Sequence, residues 1–134
     1  MSHTKSYLTE QDMKLFEDKG EIVQYKPKDV ILHQDTVTDK LCLIRSGVVQ
    51  IDFSRVYAHD TLALLGDGDF FGEVSFLDHR ESSASAIAAK PCEILEVAHD
   101  ILRELLAADD GLGARFYKTI ALTLANRIRF TNVH

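Results

Sequence analysis

The 134-residue sequence predicts a mainly β fold flanked by helices, on three observations. Between Glu21 and about Val97, short apolar runs are separated by clusters of turn-forming residues. Ahead of that stretch the apolar residues fall at helical spacing, and behind it they do so again. Many short strands at such intervals belong to a sandwich or barrel and not to alternating strand–helix units.

The first helix is expected within residues 8–20. Thr9 suits the N-cap, Glu10 and Asp12 put negative charge in the first turn, and Met13 shares a face with Phe16. Gly20 is expected to end it as a C′ glycine. The β region spans 21–98, with apolar runs at Ile22-Val23, Val30–Leu32, Leu41–Ile44, Val48–Phe53, Thr61–Leu65, Ala84–Ala88 and Glu93–Val97. Lys26-Pro27-Lys28-Asp29, Arg45-Ser46-Gly47, Gly66-Asp67-Gly68-Asp69 and Lys90-Pro91 are the turns between them. Val49-Gln50-Ile51-Asp52-Phe53 alternates at period two, which sends Gln50 and Asp52 to the outer face.

Helical periodicity resumes over 99–134. Ile101, Leu102, Leu105 and Leu106 form one face, with Asp100 as the N-cap, and Asp109-Asp110-Gly111 breaks the run. A longer helix follows, whose stripe Tyr117, Ile120, Ala121, Leu124 and Ile128 covers the strands. Arg127 and Arg129 near its end suit the helix dipole. Phe116, Leu122, Ala125 and Phe130 occupy other faces, so the helix offers apolar surface to a second copy of the chain.

Length and charge narrow the function classes. A chain of this size is expected to be one domain, residues 1–134, and it can bury roughly two-thirds of its unfolded surface without a metal or disulfide staple. Its 15 Lys+Arg against 21 Asp+Glu give a net charge of −6, which argues against a DNA-binding surface but leaves room for a local anion site. Met1 to Ser6 are polar with no apolar segment behind them, and no hydrophobic run is long enough to span a bilayer. Cys42 and Cys92 sit in strand-like patterns and read as buried thiols. The expectation is a cytoplasmic protein.

Leu64 to Ala88 is the segment that carries chemistry. Gly66, Gly68 and Gly72 are three of seven glycines in the whole chain, and glycine permits positive φ and close backbone approach. Phe71-Gly72-Glu73-Val74-Ser75-Phe76-Leu77 leads from a glycine into a helical turn, whose free N–H groups favour an anion. Glu73 either accepts hydrogen bonds from ligand hydroxyls or stands as a surface charge beside a short packing helix. The six histidines (His3, His33, His59, His79, His99 and His134) are widely spaced and read as scattered surface or loop residues, with His33 the one to inspect for a cupin-type metal site. Ser82, Ser83 and Ser85 lack the setting of a nucleophile, and Asp67 and Asp69 read as solvated turn residues, so no enzyme is expected.

This segment resembles the phosphate-binding cassette of the cyclic-nucleotide-binding domain family, shared by catabolite-activator-type regulators, protein kinase A regulatory subunits and nucleotide-gated channels. The family pattern is a Gly-Asp turn, then Phe-Gly-Glu, a short helix, and an arginine followed by small residues that enter a strand. Here the cassette covers residues 71–85, and Leu41-Cys42-Leu43-Ile44-Arg45-Ser46-Gly47 resembles the family's central Leu-x-x-Ile-x-x-Gly element. The resemblance runs from Leu8 to Arg129. It implies a double-stranded β-helix (a jelly-roll or β-roll, a cupin-like barrel) with one helix before it and two after.

By that resemblance, Gly72, Glu73 and Val74 would line the pocket, Glu73 would hold the ribose hydroxyl, and Ser83 and Ala84 would let a cyclic phosphate lie against the backbone. The arginine expected nine places after the glutamate is Ser82, which cannot pair with a phosphate as a bidentate cation does. Arg80, two positions earlier, is the alternative phosphate partner. Asp29 stands where a family glycine is usual, and Gln34-Asp35 where a Gly-Asp turn is common. The implied function is a non-enzymatic sensor of a cyclic nucleotide (cAMP or cGMP) or related anion, with no cofactor. Its signal would leave through the C-terminal helix to a second copy or a separate effector. The alternative is a degenerate domain that serves as a dimerisation or protein-interaction unit. The chain stops soon after the helix that in family transcription factors leads to a DNA-binding unit, so a sensor without its own DNA-binding effector is expected.

Overall fold

The computed structural model describes residues 6–132, with side chains described through residue 127. Helix α1 (Glu10–Lys19) opens with a capping box: Thr9 Oγ1 accepts the Asp12 N–H, and the Asp12 carboxylate accepts the Thr9 N–H. Gly20 ends the helix, but in extended backbone (φ −100°, ψ −170°) and not in the left-handed form of a C′ glycine. What requires glycine there is crowding: a Cβ would lie 2.7 Å from Glu96 O and 2.8 Å from Phe16 O.

Among the described residues, eight strands form two four-stranded antiparallel sheets. The first holds β1 (Glu21–Tyr25), β3 (Lys40–Ser46), β6 (Phe70–Phe71) and β8 (Cys92–Ala98), in the order β1–β8–β3–β6. The second holds β2 (Val30–Leu32), β4 (Val49–Arg55), β5 (Ala58–Leu65) and β7 (Ser85–Ala88), in the order β2–β7–β4–β5. The chain is thus mainly β, with helices before and after the sheets as expected. Strand β6, at two residues too short to show a period, had no sequence signal; it pairs with Cys42 and Leu43 of β3.

Both faces of β3 and β8 are buried, and period two sorts their side chains between two cores. Leu41, Leu43, Leu95 and Val97 join Phe16 and the C-terminal helices. Cys42, Ile44, Cys92 and Ile94 meet Val49, Leu65 and Ala86 of the other sheet. The two thiols are free and buried, as their setting suggested.

Two polar residues are placed differently from the expectation. Asp52 is only 2% exposed, because His59 Nε2 at 2.9 Å and the Gln50 amide close over its carboxylate. Asp69 is buried as well, accepting the Gly66 N–H at 2.9 Å, so it fastens the Gly-rich turn where a solvated role was expected. Near β2 the left-handed residue is Lys28 (φ 77°), and Asp29 accepts the Lys26 N–H. In the Gln34-Asp35 turn it is Asp35 that is left-handed (φ 65°).

Helix α3 (His99–Ala108) begins directly after β8, with Ala98 at its N-cap position; Asp100 is not the cap but an exposed first-turn residue paired with Arg103. Asp109 separates α3 from α4 (Asp110–Asn132) and accepts the Leu112 N–H. The buried face of α4 is Leu112, Phe116 and Ile120 with Thr119 and Thr123, while Tyr117 and Ala121 are exposed. Phe116, assigned above to a free face, is fully buried and meets the rings of Phe16 and Phe76 edge-on. Of the expected stripe, Ile120 is buried and Leu124 packs against the core, and the threonines shift the buried face toward Phe116: their hydroxyls bond the carbonyls of Arg115 and Thr119, which lets a nominally polar face turn inward. The side chains of Ile128, Arg129 and Phe130 lie outside the described residues, as do His3 and His134. Among the described residues no helix is long and apolar enough to cross a membrane.

Candidate ligand site

Gly72 joins β6 to a six-residue helix, α2 (Glu73–Asp78), in the left-handed conformation (φ 84°, ψ 4°). A side chain is excluded twice over there, since a Cβ would also sit 2.6 Å from Lys40 O. The turn delivers Glu73 to the interior, where it is 1% exposed. Arg127 of α4 donates one hydrogen bond to Glu73 Oε1 and another to the carbonyl of Phe70. Burial pushes the Glu73 carboxyl above its usual range, against the pull of the Arg127 charge and of its own backbone N–H. The surface-charge reading of Glu73 is therefore excluded.

Packing holds α2 in place. Phe76 lies edge-on to Phe116 and to His99, with centroids 5.9 and 5.2 Å away, and the Arg103 guanidinium stands 5.2 Å over its ring. Among the described residues, His99 Nε2 is a buried nitrogen with no hydrogen-bond partner, and burial holds that imidazole below its usual pKa. His79 closes the helix in a left-handed turn, its N–H donating to Ser75 O, and Ser75 Oγ donates to Arg80 O. Val74 points outward and is half-exposed.

The second half of the cassette is strapped to the loop between β2 and β3. Ser82 N–H donates to Thr36 O and Asp35 N–H to Ser82 O, both at 2.8 Å. Val37 and Glu81 form a further antiparallel bridge. Ser82 Oγ and Thr38 Oγ1 are hydrogen-bonded at 2.6 Å, with either hydroxyl able to donate. Ser83 is exposed and Ala84 half-buried as the chain enters β7. Arg80 is exposed, its N–H held by Asp78, and it borders a shallow open depression with Asp35, Glu81, Ser82 and Ser83.

The structure thus brings the Gly72–Glu73 turn and Ser82 to one place, through a residue without a sequence signal. Thr38 is 6% exposed; its methyl lies 3.6 Å from where a Gly72 Cβ would be, and its hydroxyl meets Ser82. Arg127 is the second such residue: its place near the end of α4 is accounted for by the helix dipole, and nothing near it in sequence points to Glu73. His33 is exposed just past β2, and among the described residues no three His, Cys, Asp or Glu side chains gather as a metal site. The assembled groups are a buried carboxylate, a pair of hydroxyls and a guanidinium on a separate helix. They can accept from and donate to hydroxyls, and they put no cation at position 82.

Comparison with known proteins agrees with this architecture. The family model described as cyclic nucleotide-binding domain matches residues 22–109. The cyclic AMP receptor protein of Thermus thermophilus is 42% identical over 66 residues, covering 48% of this chain and 31% of its own length. The crystal structure of the catabolite activator protein of the same organism superposes with a TM-score of 0.78 at 31% identity, covering 94% of this chain and 58% of that one. A cyclic nucleotide-binding domain from Methylobacillus flagellatus gives 0.85 at 24% identity, covering 92% and 70%. The chain spans about a third of the length of the first of these relatives and over half of the second.

Proposed function

The chain belongs to the cyclic nucleotide-binding domain family, and we propose that it works as a regulatory sensor, without chemistry of its own, for a cyclic nucleotide or related anion bound between Gly72-Glu73-Val74 and Ser82-Ser83-Ala84. The observation that carries this reading is the contact between Arg127 and the buried Glu73. A ligand hydroxyl that binds the Glu73 carboxylate competes with a guanidinium carried by α4. Occupancy therefore favours one position of α4 over another, and a ligand shifts an equilibrium only through such a difference in contacts. The helix passes the change to a second copy or to a separate effector. Of the described α4 side chains, Leu122 and Ala125 are half-buried and Tyr117 and Ala121 are exposed, and a second copy would meet this surface. The site of action is the cytoplasm.

Calorimetry with cAMP, cGMP and cyclic dinucleotides tests the binding step, and hydrogen exchange along α4 with and without ligand tests the transmission. Heat of binding together with altered exchange near Arg127 supports the reading; no heat at millimolar ligand removes it. Sedimentation tests the pairing of copies, which a strict monomer at high micromolar concentration would exclude.

A second reading is favoured by one observation, the hydroxyl pair Thr38–Ser82 at the place of the cassette arginine. In that reading the pocket is degenerate and the domain is a dimerisation or interaction unit. Association that persists unchanged with every nucleotide, and no calorimetric signal, would select it.

A further inference from the structure

We propose that the site recognises the vicinal hydroxyls of a sugar and not a phosphate, so that an uncharged nucleoside binds at least as well as the matching cyclic nucleotide. The inference rests on the sensor reading above for the place of the site and the response of α4, and departs from it in making the preferred ligand uncharged. Its grounds are the bonding and charge around Ser82.

The backbone at Ser82 is already committed. Its N–H donates to Thr36 O and its C=O accepts from Asp35 N–H, so neither is free for a ligand oxygen. Its hydroxyl is paired with Thr38 Oγ1 at 2.6 Å. Whichever oxygen donates, the other hydroxyl keeps a proton to give, and both keep lone pairs. Such a pair bonds a neutral hydroxyl, carbonyl or ring nitrogen in either sense, and supplies no positive charge.

The surrounding charges point the same way. The depression beside Ser82 and Ser83 is lined by two carboxylates, Asp35 and Glu81, as well as by the exposed Arg80 and by His79. Outside the lining of that depression, on the far side of Gly72, Glu73 is a buried carboxylate that when ionised only accepts hydrogen bonds, which suits the O–H donors of a diol. Arg127 is engaged with Glu73 and the Phe70 carbonyl. A phosphate entering this site loses hydration without the charge-assisted bonds that compensate for it elsewhere, and one such bond is commonly worth about 10- to 100-fold in affinity.

The test is calorimetry on the whole chain with adenosine, cAMP, guanosine, cGMP and 2′-deoxyadenosine, each at low and high salt. The expected result is a nucleoside Kd equal to or below that of its cyclic nucleotide and insensitive to salt, with at least a tenfold loss for the 2′-deoxy sugar. A cyclic nucleotide that binds tenfold or more tightly than its nucleoside overturns the inference and leaves the sensor reading standing, with Arg80 or Arg127 then supplying the cation. Equal binding of adenosine and 2′-deoxyadenosine also overturns it, since the diol would then not be recognised. If none of the five binds at millimolar concentration, the inference and the sensor reading fall together.

Discussion

Arg127 and Glu73, 54 positions apart in sequence, form a pair in which the carboxylate is 1% and the guanidinium side chain 28% exposed. Removing one member of such a pair leaves an uncompensated charge in the core, whereas removing both leaves a smaller defect. Arg127→Met is expected to cost about 3 kcal/mol of stability, with Glu73→Gln less damaging because it removes the charge itself. The double substitution should recover part of the loss. Urea unfolding of the four proteins measures this, and a coupling below about 0.5 kcal/mol would show that α4 is not held through this contact.

Ser82→Arg restores a cation to the cassette at a half-buried position whose backbone is already fixed by Thr36 and Asp35. The new guanidinium must displace the Thr38 hydroxyl, which leaves Thr38 to find another partner. Even so, affinity for cAMP or cGMP is expected to rise at least tenfold, since a charge-assisted bond outweighs a neutral one by about that factor. Titration calorimetry decides it. Unchanged affinity would mean that the pocket differs from a phosphate site by more than this one residue.

Gly72 and Gly68 share a left-handed backbone, at φ 84° and 87°, but differ in what surrounds them. A Cβ on Gly68 has nothing within 4 Å, so Gly68→Ala carries only the conformational cost of about 1–2 kcal/mol. On Gly72 the same atom meets Lys40 O at 2.6 Å and forces β3 or the start of α2 to move. Gly72→Ala is expected to cost more than about 3 kcal/mol and to disturb the turn that delivers Glu73. Thermal melts of the two variants should therefore separate clearly, and similar melting temperatures would argue that the turn relaxes freely.

Local chemistry made the fold readable. Thr9 with Asp12 marked the first helix, glycines and prolines marked the turns, and Leu41–Ile44 marked a strand buried on both faces. What stayed hidden depends on long-range partners. Asp52 looks solvated until His59 folds over it, and Thr119 and Thr123 look polar until their hydroxyls turn back onto the helix. Half of the candidate site was legible for the same reason: Gly72 and Glu73 declare themselves through one another. Thr38 does not, because its partner Ser82 is 44 positions away and nothing in either neighbourhood requires the other. Arg127 had a sufficient local explanation in the helix dipole, which concealed its contact with Glu73.

Asp12 joins the first helix to the last, closing the cap of α1 while accepting two hydrogen bonds from Arg115 of α4 at 2.8 and 2.9 Å. The Arg115 guanidinium is the main cause of its low pKa, about 2 against the ordinary 3.8, with burial opposing and the Thr9 N–H assisting. Because the folded value lies below the unfolded one, the carboxylate's contribution is complete above about pH 4 and disappears as the pH falls toward 2. Asp12→Asn keeps an acceptor for the Thr9 N–H but loses the charge, and should cost about 1–2 kcal/mol at neutral pH. The gap between wild type and variant should then close between pH 4 and pH 2 in urea unfolding. A gap that stays constant over that range would place the stabilisation in the neutral cap and not in the charge shared with Arg115.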